Sequence, residues 1–71
     1  MLGIDVSKDT FDVYNESNGH AQFSNDGKGF KAFAKTLSKN HHCVMESTGS
    51  YHQRLALYLY EQGVIVSVLN P

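Results

Sequence analysis

The alternation of apolar and polar residues predicts an antiparallel meander of three strands at the start of the chain. Residues 2–7 alternate strictly, which is the period of a strand whose two faces differ. Residues 10–14 and 20–24 alternate in the same way, and the turn between them ends in Asn18-Gly19, a pair that tolerates the positive φ of hairpins. The residues expected to face the core from the second and third strands are Phe11, Val13, Ala21 and Phe23.

A helical period follows the meander and predicts a first helix over residues 28–38. Apolar residues recur there at the i, i+3, i+4, i+7 spacing of a packed face, and the preceding Asn25-Asp26-Gly27 offers cap residues. The predicted packed positions are Phe30, Phe33, Ala34 and Leu37. The other side carries a lysine stripe, which is more often a solvated face than a phosphate-binding one. Its members are Lys28, Lys31, Lys35 and Lys39.

A second helix is predicted from about residue 50 to residue 62, where Gly63 ends it. Thr48 or Ser50 is expected to cap it, and Ser50 and Gln53 have the spacing of a capping box. The predicted packed face contains Tyr51, Leu55, Tyr58, Leu59 and Gln62. Leu57 and Tyr60 fall on the other side, so we expect another segment or a second copy of the chain to cover them.

Two further strands complete the predicted order of elements. Residues 42–46 form the fourth, and residues 64–69 form a nearly continuous apolar fifth strand, typical of a parallel strand buried on both faces. Right-handed crossovers place both parallel to the first strand. The prediction is an α/β fold with a mixed five-stranded sheet of order 3-2-1-4-5, packed against both helices.

Two carboxylates stand out in this arrangement. Asp5 lies inside an apolar strand, where a charge is costly unless something pairs with it, and Glu46 ends the fourth strand. Taken alone, Asp5 is equally well explained as the residue that ends its strand. In the predicted order, however, the two acids are neighbours near the carboxyl end of the sheet, where open α/β sheets hold ligands. Because adjacent carboxylates repel each other, the pair favours a hard cation such as Mg²⁺ between them.

Composition limits the classes of function. The chain has 71 residues, enough for one small domain, and six Lys and Arg against seven Asp and Glu give a net charge of −1. A uniformly basic nucleic-acid surface is therefore excluded, and any such contact must be local. A single cysteine excludes an internal disulfide and fits a cytoplasmic setting, and no segment approaches the roughly 18 apolar residues of a membrane span.

Other chemistry-bearing residues have simpler explanations. Asp9 and Asp12 lie in or beside the first hairpin and are weak candidates for metal ligands. A zinc site at His41-His42-Cys43 is disfavoured because adjacent strand residues point in opposite directions. Cys43 lacks a matched histidine and acid and is expected to be a core residue. The hydroxyl residues Ser47, Thr48 and Ser50 are better explained as helix caps, whereas Tyr51 and His52 could approach a substrate.

Segments spread over essentially the whole sequence resemble one protein family. They are residues 3–13, Phe23-Ser24-Asn25 with Gly29-Phe30, residues 44–52, Leu55-Ala56 with Gly63, and residues 66–71. Together they are similar to the DEDD-type insertion-sequence transposases, the group that includes the Piv and MooV DNA invertases. The resemblance implies an RNase H-like, RuvC-like domain. It also implies that Asp5 and Glu46 are the first two members of a D-E-D-D tetrad, which binds Mg²⁺ or Mn²⁺ for cleavage and transfer of DNA strands.

The same resemblance implies that parts of the active site lie elsewhere. The last two aspartates of the tetrad would follow Pro71, so we expect residues 1–71 to be the amino-terminal part of a catalytic domain. It would lack a final helix, bind metal weakly or not at all, and be inactive alone. The family also implies a carboxyl-terminal domain with a strand-exchange serine and an element-encoded RNA partner. Candidate nucleic-acid contacts are Lys8, Lys28, Lys31, Lys35, Tyr51 and His52.

Two rival interpretations stay open at the level of sequence. The amino-terminal lobe of an actin-like ATPase or sugar kinase opens with a similar strand and hairpin. Such lobes usually carry a glycine-rich phosphate loop, and residues 7–10 contain no glycine. The other rival is a non-catalytic remnant that forms homo-oligomers through exposed apolar residues such as Leu57 and Tyr60.

Overall fold

The computed structural model describes residues 1–17, 19–37, 41–46 and 49–69. These residues form β1 (Leu2–Val6), β2 (Thr10–Asn15), β3 (Gly19–Ser24), α1 (Gly27–Ala34), β4 (His42–Glu46), α2 (Gln53–Glu61) and β5 (Ile65–Leu69). The strands make one sheet of order β3-β2-β1-β4-β5. β1, β2 and β3 are antiparallel, while β4 is parallel to β1 and β5 is parallel to β4. The α/β fold, the strand order and the RNase H-like assignment are therefore confirmed.

Both helices cover the same face of the sheet. Ile4 of β1 and Met45 of β4 are buried there with Phe33 of α1 and Leu55 of α2 in one hydrophobic cluster. The two-residue period of a strand turns every second side chain away from that cluster. We call the opposite side the open face, and in the described part of the chain neither helix packs on it. Its central residues are Gly3, Asp5, Asp12, Tyr14, Val44 and Glu46.

Aromatic rings fill the core beneath the meander. The ring of Phe11 is fully buried, with its centroid 5.4 Å from that of Phe23 and 5.5 Å from that of Phe33. Val13 is buried beside it and Phe23 is partly buried, so these predicted core positions are confirmed. Ala21 was expected in the core but is exposed, because β3 is an edge strand that the helices cover only in part.

Helix α1 begins as predicted and ends early. The Asp26 carboxylate accepts a hydrogen bond from the Gly29 amide at 2.9 Å and caps the first turn. The prediction that the helix continues to residue 38 is wrong, because the Thr36 hydroxyl donates to the Phe33 carbonyl at 2.7 Å and helps to close the last turn. Leu37 still packs against the core from beyond the helix, as predicted, while Ser38 lies outside the described residues.

Helix α2 starts later than predicted. Its first residue is Gln53, and the preceding His52 makes no capping hydrogen bond with its side chain. The predicted capping box is wrong, because the Gln53 amide donates its hydrogen bond to the backbone carbonyl of Ser50, at 3.2 Å, and not to the Ser50 hydroxyl. Thr48, the other predicted cap, lies outside the described residues. Gly63 follows the helix with a φ of +81°, as expected for a residue that ends it.

The two faces of α2 match the prediction in part. Leu55 and Leu59 are buried and Tyr58 is partly buried, as expected. Tyr51 and Gln62, which were assigned to the same packed face, are exposed because they lie just outside the two ends of the helix. Leu57 and Tyr60 are 60% and 75% exposed, so nothing in the described part of the chain covers them.

The last strand is parallel, as predicted, but it is not buried on both faces. Ile65 is 61% exposed and Leu69 is 49% exposed. The prediction is wrong because β5 is the edge strand beside β4, and both described helices lie on one side of the sheet. Its apolar side chains on the open face therefore have no cover within the described residues.

Candidate metal and nucleic-acid site

Asp5 and Glu46 are direct neighbours on the open face. They are Cα partners in the parallel ladder between β1 and β4, and paired residues of adjacent strands lie on the same face. Neighbouring strands are about 4.8 Å apart, so one ion can lie between the two carboxylates. Gly3, Tyr14 and Val44 line the shallow groove in which both acids stand. The predicted neighbourhood of the two acids is confirmed, whereas their role as ligands stays a prediction.

Burial of the flanking residues places both acids on the open face. Ile4 and Val6 on either side of Asp5 are 3% and 5% exposed, and Met45 before Glu46 is fully buried. A slip of one residue in either strand would turn a carboxylate into the hydrophobic core and expose its apolar neighbours. The register that brings the acids together is therefore the register that the core requires.

The acid pair suits a hard divalent cation. Both side chains are exposed, and no described residue places a cation or a hydrogen-bond donor against either carboxylate. Within the described ranges no three His, Cys, Asp or Glu residues are grouped closely enough to hold an ion. The pair thus offers two oxygen ligands and leaves other positions to water or phosphate, which is the usual way in which Mg²⁺ binds proteins.

A third acid continues the row but is already engaged. Asp12 is the antiparallel partner of Asp5, and its Oδ1 lies 2.7 Å from Nε2 of His20. The same oxygen accepts a hydrogen bond from Gln22 at 3.1 Å, and Tyr14 stacks on the His20 ring at 4.8 Å. Sequence reasoning missed this cluster, although cross-strand register in the hairpin would have placed Asp12 opposite Gln22. These contacts set Asp12 apart from Asp5 and Glu46.

The loops beyond the acids hold three candidate nucleic-acid contacts. Lys8 lies in the turn after β1, and Tyr51 and His52 immediately precede α2. Lys8 and Tyr51 are exposed, whereas His52 is partly buried. The Asn25 side chain joins these loops, because its Nδ2 donates to the carbonyls of Lys8 at 3.4 Å and Tyr51 at 3.1 Å. Sequence reasoning gave Asn25 a capping role and a place in a segment that resembles the transposase family, but no local signal marks a contact 26 residues away.

The lysines of α1 are not brought to the acid pair. Lys28, Lys31 and Lys35 are exposed on a helix that packs against the face of the sheet opposite Asp5 and Glu46. A phosphate on a cation held by the acids would therefore be out of reach of this stripe. Lys39, the last member of the predicted stripe, lies outside the described residues.

The contacts of His42 and the burial of Cys43 indicate structural roles for both residues. The two side chains point to opposite sides of β4, and His42 Nε2 lies 2.8 Å from the Ser67 hydroxyl on β5. Cys43 is fully buried in the core, as predicted, and burial raises the pKa of its thiol to about 11. A thiol in this state is protonated at neutral pH and is neither a nucleophile nor a ready metal ligand. Asp9, another weak candidate, is exposed in the turn after β1.

Comparison with known proteins agrees with the geometry. The family model of DEDD-type insertion-sequence transposases, described as Transposase, matches residues 2–71. The pilin gene-inverting proteins of Moraxella bovis and Moraxella lacunata are each 29% identical to the chain over 79 residues. The alignments cover 99% of this chain but only 24% of each relative, so the chain spans about a quarter of their length. The match displaces the actin-like alternative, and the chain belongs to the DEDD-type insertion-sequence transposase family.

Proposed function

We propose that this chain supplies the first half of the active site of a DNA transposase or recombinase. Asp5 and Glu46 hold Mg²⁺ or Mn²⁺, and the whole protein cleaves and transfers DNA strands. The observation that carries the proposal is the pairing of these acids in the ladder between β1 and β4, on a face that no described helix covers. The names of the two relatives, which describe inversion of a pilin gene, support DNA as the substrate.

The proposed division of labour follows from the exposed acid pair. When bound, the ion supplies charge stabilisation for phosphodiester chemistry. Asp5 and Glu46 provide fixed carboxylate oxygens, because β-ladder hydrogen bonds on both sides hold their backbones in place. The groove leaves room for a phosphate beside them. Lys8, Tyr51 and His52 lie in the loops that follow β1 and precede α2.

We further propose that residues 1–71 are inactive alone. Two carboxylates are fewer than a two-metal site usually employs, so further acids must come from the rest of the protein. The chain's net charge of −1 also indicates that most of the affinity for DNA, and any contact with an RNA partner, resides elsewhere. A DNA substrate and the single cysteine fit the proposed cytoplasmic location.

Metal binding tests the proposal directly. Mn²⁺ titrated into the protein should broaden amide NMR signals around Asp5 and Glu46, and Asp5→Asn or Glu46→Gln should each remove the effect. Glu16→Gln is the matched control, because Glu16 is an exposed carboxylate in the turn between β2 and β3. In the whole protein the same two variants should abolish cleavage of DNA strands. Broadening centred on His41 and His42 would overturn the proposal.

A second function, self-association, is favoured by uncovered apolar side chains. Tyr60 is 75% exposed, Ile65 is 61% exposed and Leu57 is 60% exposed. We propose that such residues pack against another segment of the protein or a second copy. Neither described helix has the length and hydrophobicity that a membrane crossing requires. Analytical ultracentrifugation should show dimers or larger species at high concentration, and a clean monomer would contradict self-association.

A further inference from the structure

Asn25 connects two loops that are distant in sequence. Its side-chain Nδ2 donates a hydrogen bond to the Ser7 carbonyl at 2.9 Å and to the Tyr51 carbonyl at 3.1 Å, and it lies 3.4 Å from the Lys8 carbonyl. Its backbone amide donates to the Asp9 carbonyl at 2.8 Å. One residue between β3 and α1 thus holds the turn after β1 and the segment before α2.

The surroundings of the amide define which end faces the loops. Three carbonyl oxygens surround Nδ2, so a flipped amide would place its own oxygen against three acceptors. The other end, Oδ1, is buried and accepts no hydrogen bond from the described part of the chain. A buried acceptor without a partner is costly. The contribution of Asn25 therefore comes from its donor group and not from general packing.

The joined loops are the connections next to the acid pair. The turn at residues 7–9 begins two residues after Asp5, and Tyr51 follows Glu46 by five residues. The β-ladder holds the backbones of the two acids, but it ends at Val6 and Glu46 and does not constrain these loops. Asn25 is the described side chain that spans them, and it contacts the backbones of two candidate nucleic-acid contacts, Lys8 and Tyr51.

We propose that Asn25 is a positioning residue for two candidate nucleic-acid contacts: its amide holds the Lys8 turn and the Tyr51 segment at a fixed separation beside the acid pair. This inference rests on the proposed function for its consequence in catalysis, but the coupling of the two loops stands on the geometry alone. Asn25 itself contacts neither the metal nor DNA. Its loss leaves the carboxylates in place and misplaces the two loops beside them.

Hydrogen exchange of individual amides tests the coupling. The Ser7 amide, bonded to the Thr10 carbonyl, reports on the first loop, and the Gln53 amide, bonded to the Ser50 carbonyl, reports on the second. Asn25→Asp and Asn25→Ala should each accelerate exchange at both reporters by about tenfold, the scale of one lost hydrogen bond. The ladder amide of Met45 should change by less than about twofold. Equal acceleration at all amides, or a response at only one reporter, would overturn the proposal.

Asn15→Asp is the matched control. Asn15 uses only its side-chain oxygen, which accepts a hydrogen bond from the Ser17 amide at 2.9 Å. An aspartate can accept the same bond, so this variant adds the same charge and should leave both reporters unchanged. If the Asn25 variants do not fold, NMR of the unsubstituted protein still tests the coupling of the two loops. Its Asn25 side-chain amide protons should show nuclear Overhauser effects to both Lys8 and Tyr51, and the absence of either effect would refute the coupling of the two loops.

Activity separates this inference from the proposed function. In the whole protein, Asn25→Asp and Asn25→Ala should slow strand cleavage by about 100-fold, the scale of a 1 Å misplacement, while Mn²⁺ affinity stays within about twofold. Normal cleavage by both variants would refute the positioning role and leave the acid pair intact as the site. If the unsubstituted protein neither binds Mn²⁺ at the acids nor cleaves DNA, the proposed function fails. The hydrogen-exchange data then test the coupling of the two loops independently of the proposed function.

Discussion

Replacing Asp5 by asparagine should stabilise the fold when no divalent cation is present. Asp5 is the middle member of a row of acids on the open face, because it pairs with Asp12 of β2 and with Glu46 of β4. Like charges directly opposite each other on adjacent strands cost roughly 0.2–1 kcal/mol per pair. His20 offsets part of the charge of Asp12 when it is protonated. Removing both repulsions should therefore raise the free energy of unfolding by about 1 kcal/mol.

A gain of this size is measurable in a small domain. It corresponds to a rise in Tm of about 4–8 °C for a domain of 60–100 residues. A divalent cation should offset this gain: at a free concentration ten times its Kd, it stabilises the unsubstituted protein by about 1.4 kcal/mol. Asp5→Asn, with one ligand fewer, should gain almost nothing. The Tm difference seen in chelator should therefore nearly disappear in Mg²⁺ or Mn²⁺.

Thermal unfolding followed by circular dichroism provides the assay, at low ionic strength with chelator and then with each ion. Asp9→Asn is the control, because Asp9 is exposed in the turn after β1 and is not part of the row of acids. That variant should show no gain in chelator and a normal response to metal. Added monovalent salt should narrow the gap between Asp5→Asn and the unsubstituted protein, since it screens the repulsion. A lower Tm for Asp5→Asn in chelator, or a metal response equal to that of the unsubstituted protein, would refute the reasoning.

Two further predictions concern helix α1. Gly29→Ala should lower the urea midpoint of unfolding, because the added Cβ would overlap the Ser24 carbonyl oxygen. Gly27→Ala is the control: a Cβ there meets nothing within 4 Å, so this variant should be neutral or stabilising. Equal midpoints for the two variants would contradict this packing. Hydrogen bonds from the Gly29 amide and then the Ser24 hydroxyl lower the pKa of Asp26 below 3.8. This contribution to stability is present above that value and is lost as the pH falls through the lower pKa of the folded state. Asp26→Ala should therefore reduce Tm at neutral pH, and melting curves at decreasing pH should show the difference shrink; a constant difference would exclude the cap as its cause.

Local patterns in the sequence were sufficient for the strands and their order. The alternation in residues 2–7 defines which side chains of β1 face the core, because the period of a strand is two residues and burying Asp5 is costly. The right-handed crossover rule then makes β4 parallel to β1, and the strand order 3-2-1-4-5 satisfies that rule. The neighbourhood of Asp5 and Glu46 was predicted from this order and the strand period, and the structure confirms it.

Other features depended on contacts between distant residues. The hydrogen bond from Asn25 to the Tyr51 carbonyl joins residues that are 26 positions apart, and neither residue type predicts the contact. Helix α1 ends early where the Thr36 hydroxyl donates to the Phe33 carbonyl instead of to solvent. The free-energy difference between these two hydrogen bonds is small, and the hydrophobic period of the sequence does not reveal it. The position of the lysine stripe, on the far side of the sheet from the acids, also required knowing which face both helices cover.

The sequence alone therefore determined which way each strand residue faces and which two acids are neighbours, because both follow from periodicity and chain connectivity. Only the tertiary structure decided what covers each face. A run of apolar residues such as 65–69 has the same period whether a helix lies over it or not, and β5 proved to be an exposed edge. The same holds for the open face and for the loops that Asn25 joins, since burial and long-range hydrogen bonds are properties of the assembled fold and not of any segment.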